Sequence, residues 1–370
     1  MKLILIITLM TLVNAMMWAD DEVTGLLKTE RPQEKEGVPK EFEEERAALL
    51  KKNFTLEATL KLHGQGYIQN GEENARLNAS TISLVAKYKD LIKGVIIGKL
   101  DHQFIQNGES VNESMTIEDF IKEAYIEIHN IGGKPVAFVF GKQVMAFGQQ
   151  YFPMPFWTDG ALYNLQVKKE VIGLTIRLDK EMLMGIFDKA EVSWFENKPK
   201  DLNIGTMDGV SVRLTKKLLE QLQLTLSSLY AGNDYLEPAF QNETRQAVGL
   251  VYKNKTGTFS GYVEGIYFEH NPKFPNSNIG LTAGTVIKVS KESEVVIEFS
   301  LINDYLRQYS IAYRIALTKN ISFGPEIMYW DYTKETSKNK DGFFYGLDLT
   351  MMMDTGKNSY YDNYLFGHKK

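Results

Sequence analysis

Glu123-Ala-Tyr-Ile-Glu-Ile-His-Asn-Ile-Gly-Gly-Lys-Pro-Val-Ala-Phe-Val-Phe-Gly-Lys-Gln143 is the stretch whose reading decides the fold. Glu123, Tyr125 and Glu127 alternate with Ala124, Ile126 and Ile128. A period of two puts the polar set on one face of a strand and the apolar set on the other. Asn130 to Lys134 is a turn signal, and Pro135 to Gln143 reads as a second strand. A long loop follows, Ala146-Phe-Gly-Gln-Gln-Tyr-Phe-Pro-Met-Pro-Phe-Trp-Thr-Asp-Gly160, before a third strand from Val167 to Leu178. A very short turn on one side and a long loop on the other is the construction rule of transmembrane β-barrels.

Outward from this stretch the pattern repeats. Leu56, Ala58, Leu60 and Leu62 alternate with Glu57, Thr59, Lys61 and His63, and Val295, Ile297, Phe299 and Leu301 with Glu294, Glu298 and Ser300. The alternation runs for roughly ten residues at a time, the span of a tilted membrane-crossing strand. Short turns are expected near residues 89–90, 131–134, 179–180, 216–217, 254–257, 291–292 and 318–320. Longer polar loops are expected between them, near 68–76, 103–117, 145–163, 197–208, 232–244, 270–278 and 333–341, with only Asp304-Tyr305 short where a long loop is due. The expectation is an all-β, antiparallel transmembrane barrel of about sixteen strands over residues 53–354, with a short N-terminal periplasmic segment. In Met182 to Trp194, Asp188 falls on the face of Met182, Met184 and Ile186, so that strand either carries a bulge or is shorter than the run.

The first nineteen residues fit a cleaved signal peptide. Met1-Lys2 is a basic start, Leu3 to Val13 an apolar run too short to span a bilayer as a helix, and Ala15 or Ala19 closes a small-residue cleavage site. Residues 20–52 form a flexible acidic lead, and Lys40 to Lys52 carries a short helix, acidic early and basic late. Residues 355–370 follow the last clear strand as a tail. The absence of cysteine excludes disulfides, thiolate metal sites and a lipidated N-terminal cysteine. A net charge of −5 gives no basic face for nucleic acid.

A barrel with polar faces inward implies a channel. Sixteen strands leave an aqueous lumen, and about 33 residues ahead of the first strand are too few for the plug of an energised transporter. The expected activity is passive diffusion of small hydrophilic solutes across the outer membrane of a Gram-negative envelope, without a cofactor. The aromatic loop 147–161 is expected to narrow the pore through Phe147, Tyr151, Phe152, Phe156, Trp157 and Asp159. The basic lining would come from Lys93, Lys99, Lys169, Arg177 and Arg213. The acidic lining would come from Glu123, Glu127, Glu264, Glu294, Glu298, Glu326 and Asp348. With Lys93 to Arg213 on one wall and Glu264 to Asp348 on the other, the lumen would carry a transverse field. Expected partners are outer-membrane lipid, the barrel assembly machinery, small solutes and further copies of the chain in a homo-oligomer, with no nucleic acid. The five histidines are scattered and no nucleophile elbow or P-loop occurs, so neither a metal site nor an enzyme is expected. The alternatives are a soluble or membrane β-rich binding or structural protein, serving siderophore uptake or surface adhesion, and, less well supported, a barrel enzyme.

Lys122-Glu-Ala-Tyr-Ile-Glu-Ile128 and Gly141-Lys142-Gln143-Val-Met-Ala-Phe147-Gly148, with the aromatic loop and Asp159, resemble the LbtU-type siderophore porins and, more distantly, the phosphate-selective porins. The resemblance covers about sixty residues and implies an outer-membrane porin. Ala146 stands where that family has Pro, Gly160 follows the Asp in place of Pro, and Lys168-Lys169 replaces an acidic stretch, which separates the porin expectation from the siderophore one.

Overall fold

The computed structural model describes residues 53–354, except 70, 78–79, 107–108, 111–119, 150–164, 166–167, 197–206, 233–241, 272–273, 275 and 334–340. The expected signal peptide, acidic lead, helix and C-terminal tail therefore lie outside the described residues.

Segments with period-two alternation become strands, each antiparallel to the next. They are β1 (Phe54–Gln69), β2 (Glu72–Leu77 continued by Thr81–Tyr88), β3 (Ile92–Lys99 continued by His102–Gln106), β4 (Glu109–Ser110 and Ile121–Ile128), β5 (Val136–Met145), β6 (Lys168–Asp179), β7 (Lys189–Glu196) and β8 (Gly209–Leu219). The second half comprises β9 (Leu222–Ala231), β10 (Glu243–Lys253), β11 (Phe259–Glu269), β12 (Ile279–Lys288), β13 (Ser293–Ile302), β14 (Leu306–Thr318), β15 (Ile321–Tyr332) and β16 (Gly342–Asp354). The two segments of β2 pair with successive halves of β1, and those of β3 and β4 continue in step, so each counts as one stave. Strand β16 pairs back onto β1 from Thr59↔Asp354 to Gln69↔Phe344, closing sixteen staves into a barrel without a free edge.

Burial is inverted relative to a water-soluble protein. Leu84, Phe140 and Leu347 are about half exposed on the outer face, whereas Glu264, Glu326 and Glu191 are 1%, 2% and 3% exposed inside. An outer surface this apolar belongs against hydrocarbon, which a closed barrel satisfies because every wall strand finds its backbone partners in its neighbours. Tyr230, Tyr267, Tyr309 and Tyr329 sit on the outer face at the long-loop end, where an interfacial girdle forms.

Three local expectations are corrected. The turn expected at Asp179-Lys180 extends from Lys180 to Asp188, and β7 begins only at Lys189. Asp188 explains this, because its backbone N–H donates to the Thr215 carbonyl at 2.9 Å and its carboxylate accepts the Lys217 N–H at 2.5 Å, both on the adjacent strand β8, so it closes the turn onto β8. The loop expected at 68–76 shrinks to residues 70–71, and part of the loop expected at 103–117 is strand. Both segments are polar, and side-chain chemistry alone does not separate a strand standing clear of the membrane from a loop.

The interior is layered. Toward the long-loop end an apolar cluster lines it, including Met145, Phe147, Phe195, Phe268, Trp330 and Phe344. Tyr67 stacks on Phe344 at 4.7 Å, carrying the cluster across the β1–β16 seam. A smaller group, Val85, Val95, Ile97, Tyr125 and Val139, lines the inner face of β2 to β5. Polar and charged side chains occupy the rest.

Candidate functional site

The inner faces of β3 to β8 carry a ladder of alternating charge. Lys93 lies opposite Glu127 and approaches it at 3.4 Å. Glu127 pairs with Arg177, which reaches across β5 because Ala137 and Val139 beneath it are small. The Arg177 Nε donates to Glu191 at 3.1 Å, and Arg213 donates to the other Glu191 oxygen at 2.9 Å. Lys189 approaches Glu191 at 3.0 Å. Burial would strip these carboxylates of water at a cost of several kcal/mol per ion, so each is buried only where cations flank it. Glu123 lies opposite Ile97 on the same inner face, and Lys99 pairs with Asp101 at 3.4 Å. Lys169 lies on β6, and its side chain is outside the described residues.

The opposite wall holds a further set of carboxylates. Tyr262 on β11 reaches over Gly284 on β12 and donates its hydroxyl to Glu298 on β13 at 2.5 Å. Asp348 on β16 meets His63 on β1, with Lys61 on the same inner face. Glu326 is buried on the inner face of β15, and Glu294 pairs with Arg314.

The root of the aromatic loop crosses between these walls. Leaving β5, Phe147 is fully buried and the Gly148 N–H donates to Ser227 on β9 at 3.1 Å. The Gln149 backbone N–H donates to Glu264 on β11 at 2.7 Å, and its side-chain amide donates to the Val263 carbonyl at 2.6 Å. Arg213 on β8 donates to the Gln149 carbonyl at 3.3 Å. Gln149 lies over Gly249 of β10, where a Cβ would come within 2.1 Å of its amide. At the other end of the loop, Arg245 on β10 donates to the Leu165 carbonyl at 2.7 Å. Arg245 is itself held by Glu243 at 2.8 Å, and Glu243 accepts from Asn271 at 2.5 Å. Both ends are thus bonded to inner-face side chains of β8 to β11. Tyr151, Phe152, Phe156, Trp157 and Asp159 lie outside the described residues.

The Gly141-Lys-Gln-Val-Met-Ala-Phe-Gly148 motif acquires a physical reading. Gly141 has φ +133°, and a Cβ there would meet the Ala124 carbonyl oxygen at 2.3 Å, so β4 and β5 approach only with glycine. Gln143 donates to the Gly173 carbonyl at 3.0 Å and accepts from Thr175 at 3.2 Å, locking β5 to β6. Lys142 faces outward and donates to the Ile121 carbonyl at 2.5 Å.

Sequence reading missed Glu191, Gln149, Arg245 and Glu243. The signal for Glu191 was present, since Lys189, Glu191 and Ser193 alternate with Ala190, Val192 and Trp194, but phasing the strand from Met182 obscured it. Among the described residues no group of three or more metal-ligating side chains converges.

No protein-family model matches the chain, and no curated protein matches it, so the resemblance to the LbtU-type porins stays with the residues that carry it. Solved structures do match. The outer-membrane channel DcaP of Acinetobacter baumannii superposes with a TM-score of 0.56 at 12% identity, over 82% of this chain and 98% of that one. Pseudomonas putida OprB gives 0.56 at 13%, over 85% and 97%. The trimer form of Vibrio cholerae OmpT gives 0.52 at 10%, over 81% and 100%. At these identities what is shared is architecture: the chain has the sixteen-stranded barrel fold of the outer-membrane porins.

Proposed function

We propose that the protein is a bacterial outer-membrane channel for passive diffusion of small hydrophilic solutes, narrowed by the loop 147–161. The observation that carries this reading is the bonding of the loop root, through Gly148 and Gln149, to Ser227, Glu264 and Arg213 on inner faces well away from β5. A loop that leaves one wall and is tied to the opposite one reduces the cross-section between them. Phe147 packs the root, and Tyr151, Phe152, Phe156, Trp157 and Asp159 belong to the narrowing. The lining is Lys93, Lys99, Lys169, Arg177 and Arg213 with Glu123, Glu127 and Glu191 on one side, and Glu264, Glu294, Glu298, Glu326 and Asp348 on the other. Because Glu127 and Glu191 interleave with the basic residues, that wall keeps little net charge. Arg314, Arg245, Lys288 and Lys61 interleave with the carboxylates of the other wall in the same way, so the channel has only a weak preference between ions of either sign and needs no cofactor. Homo-oligomerisation accords with the trimer form of Vibrio cholerae OmpT.

Purified protein in a planar bilayer tests this. Stepwise conductance with only a small reversal potential in a salt gradient is expected, and deleting residues 150–158 raises the conductance. A sealed barrel refutes the channel, and unchanged conductance after the deletion removes the loop from the pore.

A further inference from the structure

The loop anchors leave one sector of the inner wall clear. Gly148, Gln149 and Leu165 are bonded to side chains of β8 to β11, and the wall of β15, β16 and β1 bears none of these bonds. That wall carries a niche. Its floor is Gly346 on β16, which lies opposite Tyr67 on β1 and Glu326 on β15, so the inner-face row Tyr67–Gly346–Glu326 has no side chain at its centre. Phe344 bounds the niche toward the long-loop end and Asp348 toward the short-turn end, each two residues along the same face of the strand. One side is aromatic: Tyr67 stacks on Phe344 at 4.7 Å, and Trp330 of β15 packs on Phe344 at 5.9 Å. Tyr67 is only partly buried, so a flat ring face is left for a solute.

The polar groups select that solute. Trp330 is 7% exposed, and among the described residues its indole N–H has no hydrogen-bond partner. Buried polar groups ordinarily have one, so this donor marks where a ligand's acceptor would complete the site. The charges around the niche are of both signs. Arg76 lies over the Tyr67 ring at 5.1 Å and donates to Gln65 at 2.9 Å, while Asp348 meets His63 and Glu326 is buried beside the floor. A cationic solute would meet Arg76 as a like charge, and an anionic one would meet Glu326 and Asp348. A pyranose avoids both. It offers an apolar ring face to Tyr67, and its hydroxyls both accept from Trp330 and donate to Glu326. A zwitterionic amino acid fits less well, because the donor without a partner is neutral.

We propose that the niche over Gly346 is a binding subsite for a neutral saccharide, stacked on Tyr67 and hydrogen-bonded by Trp330. The passage of that saccharide rests on the channel reading, whereas its binding is measured without conduction.

The test is isothermal titration calorimetry of the full-length protein refolded in detergent, with maltotriose as the probe. Saturable binding is expected. Trp330→Phe keeps a ring and removes the N–H, and should raise the Kd about fivefold, the loss of one neutral hydrogen bond. Tyr67→Leu keeps an apolar contact at the seam without the flat face, and should raise the Kd severalfold. Heat-modifiable gel migration shows that each variant is folded. Absence of binding by the parent, or equal affinity in the parent and both variants, overturns the subsite. So does binding of phenylalanine in place of maltotriose, which would assign the niche to a zwitterion. In planar bilayers maltotriose should interrupt the parent current and interrupt that of Tyr67→Leu more briefly. Conductance without saccharide binding removes the subsite and leaves the channel, whereas a sealed barrel that still binds maltotriose upholds the niche and removes the channel.

Discussion

Glu264 is the residue whose removal tests the loop anchorage most directly. Its carboxylate, 1% exposed, accepts the Gln149 backbone N–H at 2.7 Å. A hydrogen bond to a charged group contributes about 1.5–3 kcal/mol, and in a lumen where water can replace part of it we take about 2 kcal/mol. Glu264→Ala should therefore raise the ratio of released to anchored loop root roughly thirtyfold, at about 1.4 kcal/mol per decade. The Gly148–Ser227, Gln149–Val263 and Arg213–Gln149 bonds remain, so the expected result is partial release and not loss of the loop. In single-channel recordings this reads as added open-state noise and a higher mean conductance. Glu264→Gln separates two effects, since it keeps an acceptor for Gln149 but removes the charge. It should shift ion selectivity as the alanine does while leaving the noise at the parent level. Equal noise in parent and Glu264→Ala, with heat-modifiable gel migration confirming a folded barrel, would refute the reasoning.

Arg245→Ala leaves Glu243 buried without its guanidinium and the Leu165 carbonyl without its donor, so unfolding should become easier by about 3–5 kcal/mol, read from the denaturant midpoint of refolded protein. Glu191→Gln removes the carboxylate that Arg177, Lys189 and Arg213 share, and the reversal potential in a salt gradient should move toward anions. Gly141→Ala forces a Cβ against the Ala124 carbonyl, so the yield of heat-modifiable barrel should fall sharply while Lys142→Ala, one residue on and facing outward, folds with much less loss. The Asp188 carboxyl is held below its ordinary range by the Lys217 N–H, helped by nearby lysines. A depressed carboxyl stabilises above its unfolded value and loses that contribution as pH falls through the lower folded value. The protection of the Lys217 amide relative to its intrinsic exchange rate should accordingly fall only at acid pH, and protection that stays constant as the pH is lowered would contradict the assignment.

The barrel was legible because alternation and loop length carry it. Leu222, Leu224 and Leu226 against Gln221, Gln223 and Thr225 show which face of β9 is outward without any partner being known. Phase was harder than period. The apolar run from Met182 to Ile186 has the composition of a strand, yet it forms a turn, with Met184 at φ +50° and 91% exposed. The individual charges were legible too, but their compensation was not. Glu127 and Arg177 are fifty residues apart and meet only because the side chains of β5 between them are small. Gln149 was invisible for the same kind of reason, since nothing local to an aromatic loop states which wall will receive its backbone. The apolar interior cluster ran against the expectation of polar inner faces, because Phe195, Phe268 and Phe344 occupy inner positions that alternation alone would reserve for polar residues.

The seam where β16 meets β1 has a kinetic meaning. Eleven registered residue pairs there join residues 59–69 to residues 344–354, contacts separated by nearly the whole described chain. Until they form, the first and last staves present unpaired N–H and C=O groups, each costing several kcal/mol in hydrocarbon. A half-inserted sheet is therefore not a resting place, and entry into the bilayer has to coincide with closure of the ring. Loop-closure entropy makes such distant contacts slow to find, so the rate of assembly is governed by how long the two terminal staves are kept apart from lipid and within reach of one another.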